Sequence, residues 1–251
     1  MNIRELLAHI DSFAPFSLAE EWDNSGLMVG SYDAEARKIG VCLDAVTSAV
    51  LAASEQGCNV LVCHHPLIFR PIRRVSDDSK QGRTILEAIR RGISIIATHT
   101  NWDKAQGGVN DTLAGLLGLR DCEPLDEFGV VGKLPERMYR PAFLEHVKAS
   151  WGLSHIECYG NPAKFSRVAL CGGSGSEFWR AAKSKKADIY LTADMKYHEL
   201  SDAVNEGLTI GLINHGEMER ASIPELAHRI SLCGVETVTL NVEALSAPLI
   251  I

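Results

Sequence analysis

No apolar stretch in this chain reaches the roughly 20 residues that a membrane helix requires. The run from Met1 to Ile10 interleaves charges with its apolar residues, so it lacks the basic, apolar and small-residue zones of a signal peptide. Paired cysteines are missing too. The seven cysteines include no Cys-x-x-Cys spacing, and Cys42, Cys63 and Cys171 lie inside apolar runs, which reads as reduced core thiols in a cytoplasmic protein. Positive charge is in deficit: 25 Lys and Arg against 32 Asp and Glu leave a net charge of -7. That balance argues against broad electrostatic binding to nucleic acid or anionic lipid, although a local basic patch can still hold phosphate. What remains is 251 residues, 46% of them hydrophobic, enough to bury a full core as one large domain or two smaller ones.

Strand-like and helix-like runs alternate: 39–43, 46–56, 60–63, 83–91 and 93–98 in the first half, then 168–171, 178–185, 189–192, 200–206 and 209–213 in the second. This βαβ rhythm predicts an α/β protein with mostly parallel sheets covered by helices. Lys38-Ile-Gly-Val-Cys42 lies on Arg167-Val-Ala-Leu-Cys171, and the same offset sets Asn59-Val60 on Asp188-Ile189 and His64-His65 on Ala193-Asp194. After a longer loop at 70–80, a slightly smaller offset sets His99-x-x-x-Asp103 on His215-x-x-x-Glu219. The expectation is two similar halves by internal duplication, residues 1–123 with His64, His65, His99 and Asp103, and residues 124–251 with His215 and Glu219. The stretch 121–162, marked by Pro124, Gly129, Gly132, Pro135 and Pro141, reads as the connection, with a short helix at 142–150.

Polar residues that follow an apolar strand in an open α/β sheet occupy the favoured place for a site, and three clusters do so here. His64-His65 ends the run 59–63, and Pro66 stops the ladder there so that both rings can reach one pocket. Asp103 follows His99 by four residues and turns back toward the strand end. His215 and Glu219 share a helix face if that segment is helical; Glu217 is an alternative, but the match to His99 and Asp103 favours Glu219. Each cluster alone is equally consistent with a solvated turn, a helix cap or a hydrogen-bonded core. Together they point to a metal centre in the cleft between the halves, because a divalent cation offsets the cost of converging buried charge. Histidine and carboxylate suit zinc, manganese, iron, cobalt or nickel without choosing among them. Five ligands exceed what one open zinc site takes from protein, and two ions sharing Glu219 account for the surplus.

The motifs Trp22-Asp-Asn-Ser-Gly-Leu27, Val62-Cys-His-His-Pro-Leu-Ile-Phe69, Thr98-His-Thr-Asn-Trp-Asp103 with Gly107-Gly-Val-Asn-Asp111, Cys171-Gly-Gly-Ser-Gly175, Asp188-Ile-Tyr-Leu-Thr192 with Lys196-Tyr-His198, and His215 to Glu219 resemble the GTP cyclohydrolase 1 type 2 homologue family, also called NGG-one interacting factor three-like. The resemblance runs in order over nearly the whole chain. It implies two α/β halves enclosing a dinuclear metal centre, with His64, His65, Asp103, His215 and a bridging Glu219 as ligands to two divalent ions, and subunits assembled as a ring-shaped homohexamer. It also implies a small-molecule substrate, GTP or a related nucleotide, whose imidazole ring is opened hydrolytically by water activated at the metals. Met28 and the Gly216-Glu217-Met218 spacer depart from the family pattern at positions that can reshape the pocket.

Smaller features carry less. His198 and Glu217 are the candidates for moving protons, an exposed helix histidine being an equal reading for the former. Arg70, Arg73 and Arg74 can neutralise a triphosphate or simply face water. Ser174-x-x-Glu177 reads as a capping box in preference to a phosphate turn. Asp23 and Asn24 belong to a turn that can support the site. A metal-binding regulatory or scaffold protein without turnover, or a metal-dependent phosphoesterase, would use the same residues differently.

Overall fold

A computed structural model describes residues 1–242 and 244–245. Two compact units divide the chain. One takes Met1–Gln106 and resumes at Ile223; the other takes Gly107–Ser222.

The first unit opens with α1 (Ile3–Phe13), whose start is fixed by a reciprocal cap: Glu5 N donates to Asn2 Oδ1 and Asn2 N donates to Glu5 Oε2, both at 2.9 Å. Its buried face is Ile3, Leu6 and Ile10, the spacing of one helical stripe. There follow β1 (Gly26–Val29), β2 (Lys38–Asp44), α2 (Thr47–Glu55), β3 (Val60–His65), α3 (Lys80–Arg91), β4 (Ser94–Ala97) and the short α4 (Thr100–Lys104). Ser79 caps α3 through Gly82 N, and Gly92 ends it in the left-handed region at φ 64°, where a side chain would be strained. β2, β3 and β4 are parallel neighbours, with β1 antiparallel on the outer edge of β4. Both faces of β3 are covered, so it reads as the continuous apolar run Val60 to Cys63 and not as an alternating one.

The second unit holds α5 (Val109–Leu116), β5 (Arg120–Pro124), β6 (Val130–Tyr139), α6 (Arg140–Trp151), β7 (Glu157–Tyr159), β8 (Lys164–Ser174), α7 (Trp179–Ser184), β9 (Ile189–Ala193), α8 (Tyr197–Asn205), β10 (Thr209–Leu212) and α9 (His215–Arg220). Its six-stranded sheet runs β5-β6-β8-β9-β10-β7 and is mixed: β8, β9 and β10 are parallel, and the other three pairings are antiparallel. The chain then returns to the first unit as α10 (Ile223–Ser231) and β11 (Glu236–Thr239), which joins β2 in parallel and completes the order β1-β4-β3-β2-β11.

The duplication is visible in strand register. Ile39 faces Val60 as Val168 faces Ile189, and the parallel runs β2-β3-β4 and β8-β9-β10 each carry, beside their last strand, an antiparallel edge strand that precedes them in sequence. The stretch 121–162 is not a connection. Its glycines and Pro135 suggest turns, yet β5, β6, α6 and β7 are integral to the second sheet. Pro135 is tolerated inside β6 because the ladder to β8 shifts register between Lys133 and Met138, where a missing N–H costs no regular bond. Gly132 is a close approach, a Cβ there falling 2.8 Å from Cys122 Sγ. The compact units also divide elsewhere than at residue 123: α5 packs on β6 and β8, and β11 pairs with β2, so chain order and spatial grouping differ.

Candidate metal centre

In the first unit, two neighbouring parallel strand ends deliver the imidazoles. His64 and His65 close β3, one fully buried and one half-buried, and His99 is the residue before α4. Ring centroids are 5.0 Å apart for His64 and His65, 5.3 Å for His64 and His99, and 5.8 Å for His65 and His99. One nitrogen from each lies within 4.8 Å of the others, close enough to hold one ion. Neighbouring strand residues normally face opposite ways; here the ladder ends at Pro66 and both rings reach the same group, as the sequence suggested. Asp103, on α4, places Oδ1 3.5 Å from His64 Nε2, so its carboxylate turns toward the strand end and not to a helix cap.

The orientation of the rings is set from behind. His64 Nδ1 donates to Thr98 O at 2.8 Å, His65 Nδ1 to Asp44 Oδ1 at 2.9 Å, and His99 Nδ1 to Asp23 Oδ1 at 2.7 Å. Each partner can only accept, so each Nδ1 carries the proton and each Nε2 presents its lone pair. An outer acceptor on the far nitrogen is the usual support for a metal-bound histidine. Asp23 is itself enclosed. Burial would raise its pKa, but hydrogen bonds from His99, Thr100 and the Asn24 backbone outweigh that and hold the carboxyl well below the usual range. Ser25 Oγ also donates to it, at 3.0 Å.

The second unit uses the same device once. His215 and Glu219 lie one turn apart on α9, with Nε2 and Oε2 3.0 Å apart, which bears out the shared helix face. His215 Nδ1 donates to Asp194 Oδ2 at 2.5 Å. Glu219 is buried, and Gly173 makes room for it: a Cβ at Gly173, where φ is 68°, would stand 2.2 Å from Glu219 Oε1 and 3.2 Å from His215 Nε2. The space arises from a bulge in β8. Leu170 faces Leu191 but Ser174 faces Ala193, so four steps along β8 answer two along β9. The glycine-rich segment therefore serves the carboxylate. The capping box read for Ser174 and Glu177 does not form, since α7 starts at Trp179 after a 3₁₀ turn and has no side-chain cap.

Strand register also corrects the pairing of the two His-x-x-x-carboxylate motifs. Thr98 N bonds Cys63 O as Ile213 N bonds Thr192 O, so His99 corresponds to Asn214, both being helix N-caps, and His215 corresponds to Thr100. The motifs are displaced by one residue and arose at different positions of the repeat.

Glu217 and His198 are in no group of converging metal-capable side chains among the described residues. Glu217 Oε2 accepts from Ser154 N at 2.9 Å and Ser154 Oγ at 3.0 Å, which ties α9 to the end of α6. His198 is exposed at the start of α8, its ring 5.4 Å from that of Tyr197. The supporting residues Asp44, Asp194 and Gly173 have a weak sequence signal: Asp44 and Asp194 each end an apolar strand with a carboxylate. Gly173 lies in the glycine-rich segment 171–175, but nothing in the sequence distinguishes it from the glycines beside it.

The family model described as Duf34/NIF3 (NGG1p interacting factor 3) matches residues 1–247. A "GTP cyclohydrolase 1 type 2 homolog" from Lactococcus lactis is 37% identical over 92% of this chain and 91% of the relative. A "GTP cyclohydrolase 1 type 2" from Helicobacter pylori strain J99 is 31% identical over 87% of each. In structure, a Bacillus cereus protein related to NIF3 superposes with a TM-score of 0.94 over 100% of this chain and 99% of its own, at 24% identity.

Proposed function

Because this chain belongs to the Duf34/NIF3 family, we propose that it is a divalent-metal-dependent hydrolase acting on a nucleotide such as GTP. His64, His65, Asp103, His215 and Glu219 would hold two ions, with Glu219 shared. The observation that carries the reading is the set of imidazoles whose Nδ1 atoms are bonded to acceptors, which leaves each Nε2 as a ligand atom. The donor types fit zinc, manganese, iron, cobalt or nickel.

Bound there, such ions supply a lowered water pKa and polarisation of the bond under attack. The chain's own contribution is orientation. Asp44, Asp194 and the Thr98 carbonyl fix ring direction and tautomer, and Gly173 leaves the Glu219 carboxylate its place. Glu217, held by Ser154, is a positioning residue for α9, while solvent-exposed His198 is assigned proton exchange with water. Assembly as a six-membered ring belongs to the same proposal and is read by light scattering. No described helix is long and apolar enough to cross a membrane.

The test is metal analysis together with GTP turnover for the wild type and for His65→Ala combined with Glu219→Ala. The expected result is about two divalent ions per chain and formate release in the wild type, both lost in the double variant while it stays folded. Turnover unchanged by the double substitution would count against the hydrolase. Loss of thermal stability or assembly with no turnover in any sample would favour a scaffold.

A further inference from the structure

Trp22 and Phe69 are large aromatic side chains left 59% and 42% exposed beside the imidazole group of the first unit. Their ring centroids are 5.9 Å apart at an interplanar angle of 67°, and both meet His99, at 6.4 and 6.0 Å. The two rings therefore make an open corner whose inner end is an imidazole of the candidate centre. Exposed aromatics forgo the stabilisation that burial would give, so a fixed pair of them calls for an occupant.

The pair is fixed. Asp23, next to Trp22, accepts hydrogen bonds from His99 Nδ1, Thr100 N, Thr100 Oγ1 and Ser25 Oγ. Asn24 Nδ2 donates to Ile68 O, so the turn that carries Trp22 is tied to the residue before Phe69. Rigid rings on a pinned backbone lose little entropy when a planar ligand stacks on them. The chain continues from Phe69 into Arg70, Arg73 and Arg74, all exposed and in no ion pair among the described residues. Guanidinium groups without carboxylate partners suit a phosphate.

We infer that Trp22 and Phe69 form a stacking subsite for the base of a mononucleotide, whose phosphate is received by the arginines that follow Phe69. The inference deepens the hydrolase reading and rests on it for the reaction, but base binding itself does not require the metals.

The subsite is tested by calorimetric titration of the full chain with guanosine monophosphate, guanosine and ribose 5-phosphate, with metal content measured on the same samples. Acrylamide quenching adds a second readout, because Trp102, Trp151 and Trp179 are buried and the accessible indole is Trp22. Guanosine monophosphate is expected to bind and to shield Trp22, guanosine to bind more weakly, and ribose 5-phosphate to bind weakest. Trp22→Ala and Phe69→Ala should each weaken guanosine monophosphate roughly tenfold, the usual loss for a stacked base, with Trp22→Phe within about threefold of wild type. No binding by the wild type, unchanged affinity in both alanine variants, or ribose 5-phosphate as tight as the nucleotide overturns the subsite. Trp22-dependent binding by protein that retains no divalent ion supports the subsite and sinks the hydrolase; retained ions with Trp22-independent binding do the reverse.

Discussion

In the first unit β2 stays in step with β3 as far as Asp44 opposite His65, whereas in the second β8 slips against β9 between Leu170 and Ser174. The unbroken strand end gives a carboxylate that supports a neighbouring imidazole. The bulged one gives a glycine that clears space for a carboxylate from a helix. On the next strand the positions of His64 and His65 are taken by Ala193 and Asp194, and Asp194 supports His215 instead of standing as a ligand. One parallel frame was thus finished in two ways, a histidine-rich end and a carboxylate end. The frame is set by hydrogen bonds and apolar burial, which tolerate many end residues, so the ends were free to diverge.

The largest effect that would break the comparison is at Gly173. Gly173→Ala brings left-handed strain of about 1–2 kcal/mol and a Cβ within 2.2 Å of Glu219 Oε1. Metal affinity, read by chelator competition, should fall on the order of a hundredfold. Gly92→Ala is the control from the other unit, with φ 64° and nothing within 4 Å of the added Cβ. It should lower the melting temperature and leave metal content intact; equal metal loss in both variants would show that strain alone was at work.

Next in size are the supporting carboxylates. Asp44→Asn and Asp194→Asn should each reduce metal affinity about tenfold, within the range for outer partners of metal ligands, although they occupy different places in the repeat. An effect at one and none at the other would mean that only one unit binds metal. The smallest effect is at the helix caps. Asn214 Oδ1 accepts from Glu217 N at 3.1 Å, whereas His99 makes no side-chain cap. Asn214→Ala should therefore cost about 1 kcal/mol in denaturant unfolding, and no change there would show the cap to be dispensable.

The parallel cores were readable from the sequence because their strands are buried on both faces and appear as runs such as Val60 to Cys63 and Ile189 to Leu191. The flanking strands were not, since Gly132 and Pro135 satisfy turn chemistry as well as they satisfy a bulged strand. Among site residues, His64, His65 and the His215–Glu219 pair could be picked out by their place after apolar runs. Asp23, Asp44 and Asp194 act through contacts 76 and 21 residues away along the chain, which no local pattern encodes.

The sequence alone determined the alternation of strand and helix, the duplication of the parallel core and the residue types available as ligands, because hydrophobic periodicity and strand-end position are local properties. Tertiary structure decided which nitrogen each of these histidines turns to its acceptor, which carboxylates back an imidazole from behind and which lie beside its far nitrogen, and that His215 answers to Thr100 in place of His99. Those outcomes depend on hydrogen bonds across strands and on the space left by a single glycine, and such contacts exist only once the sheets have formed.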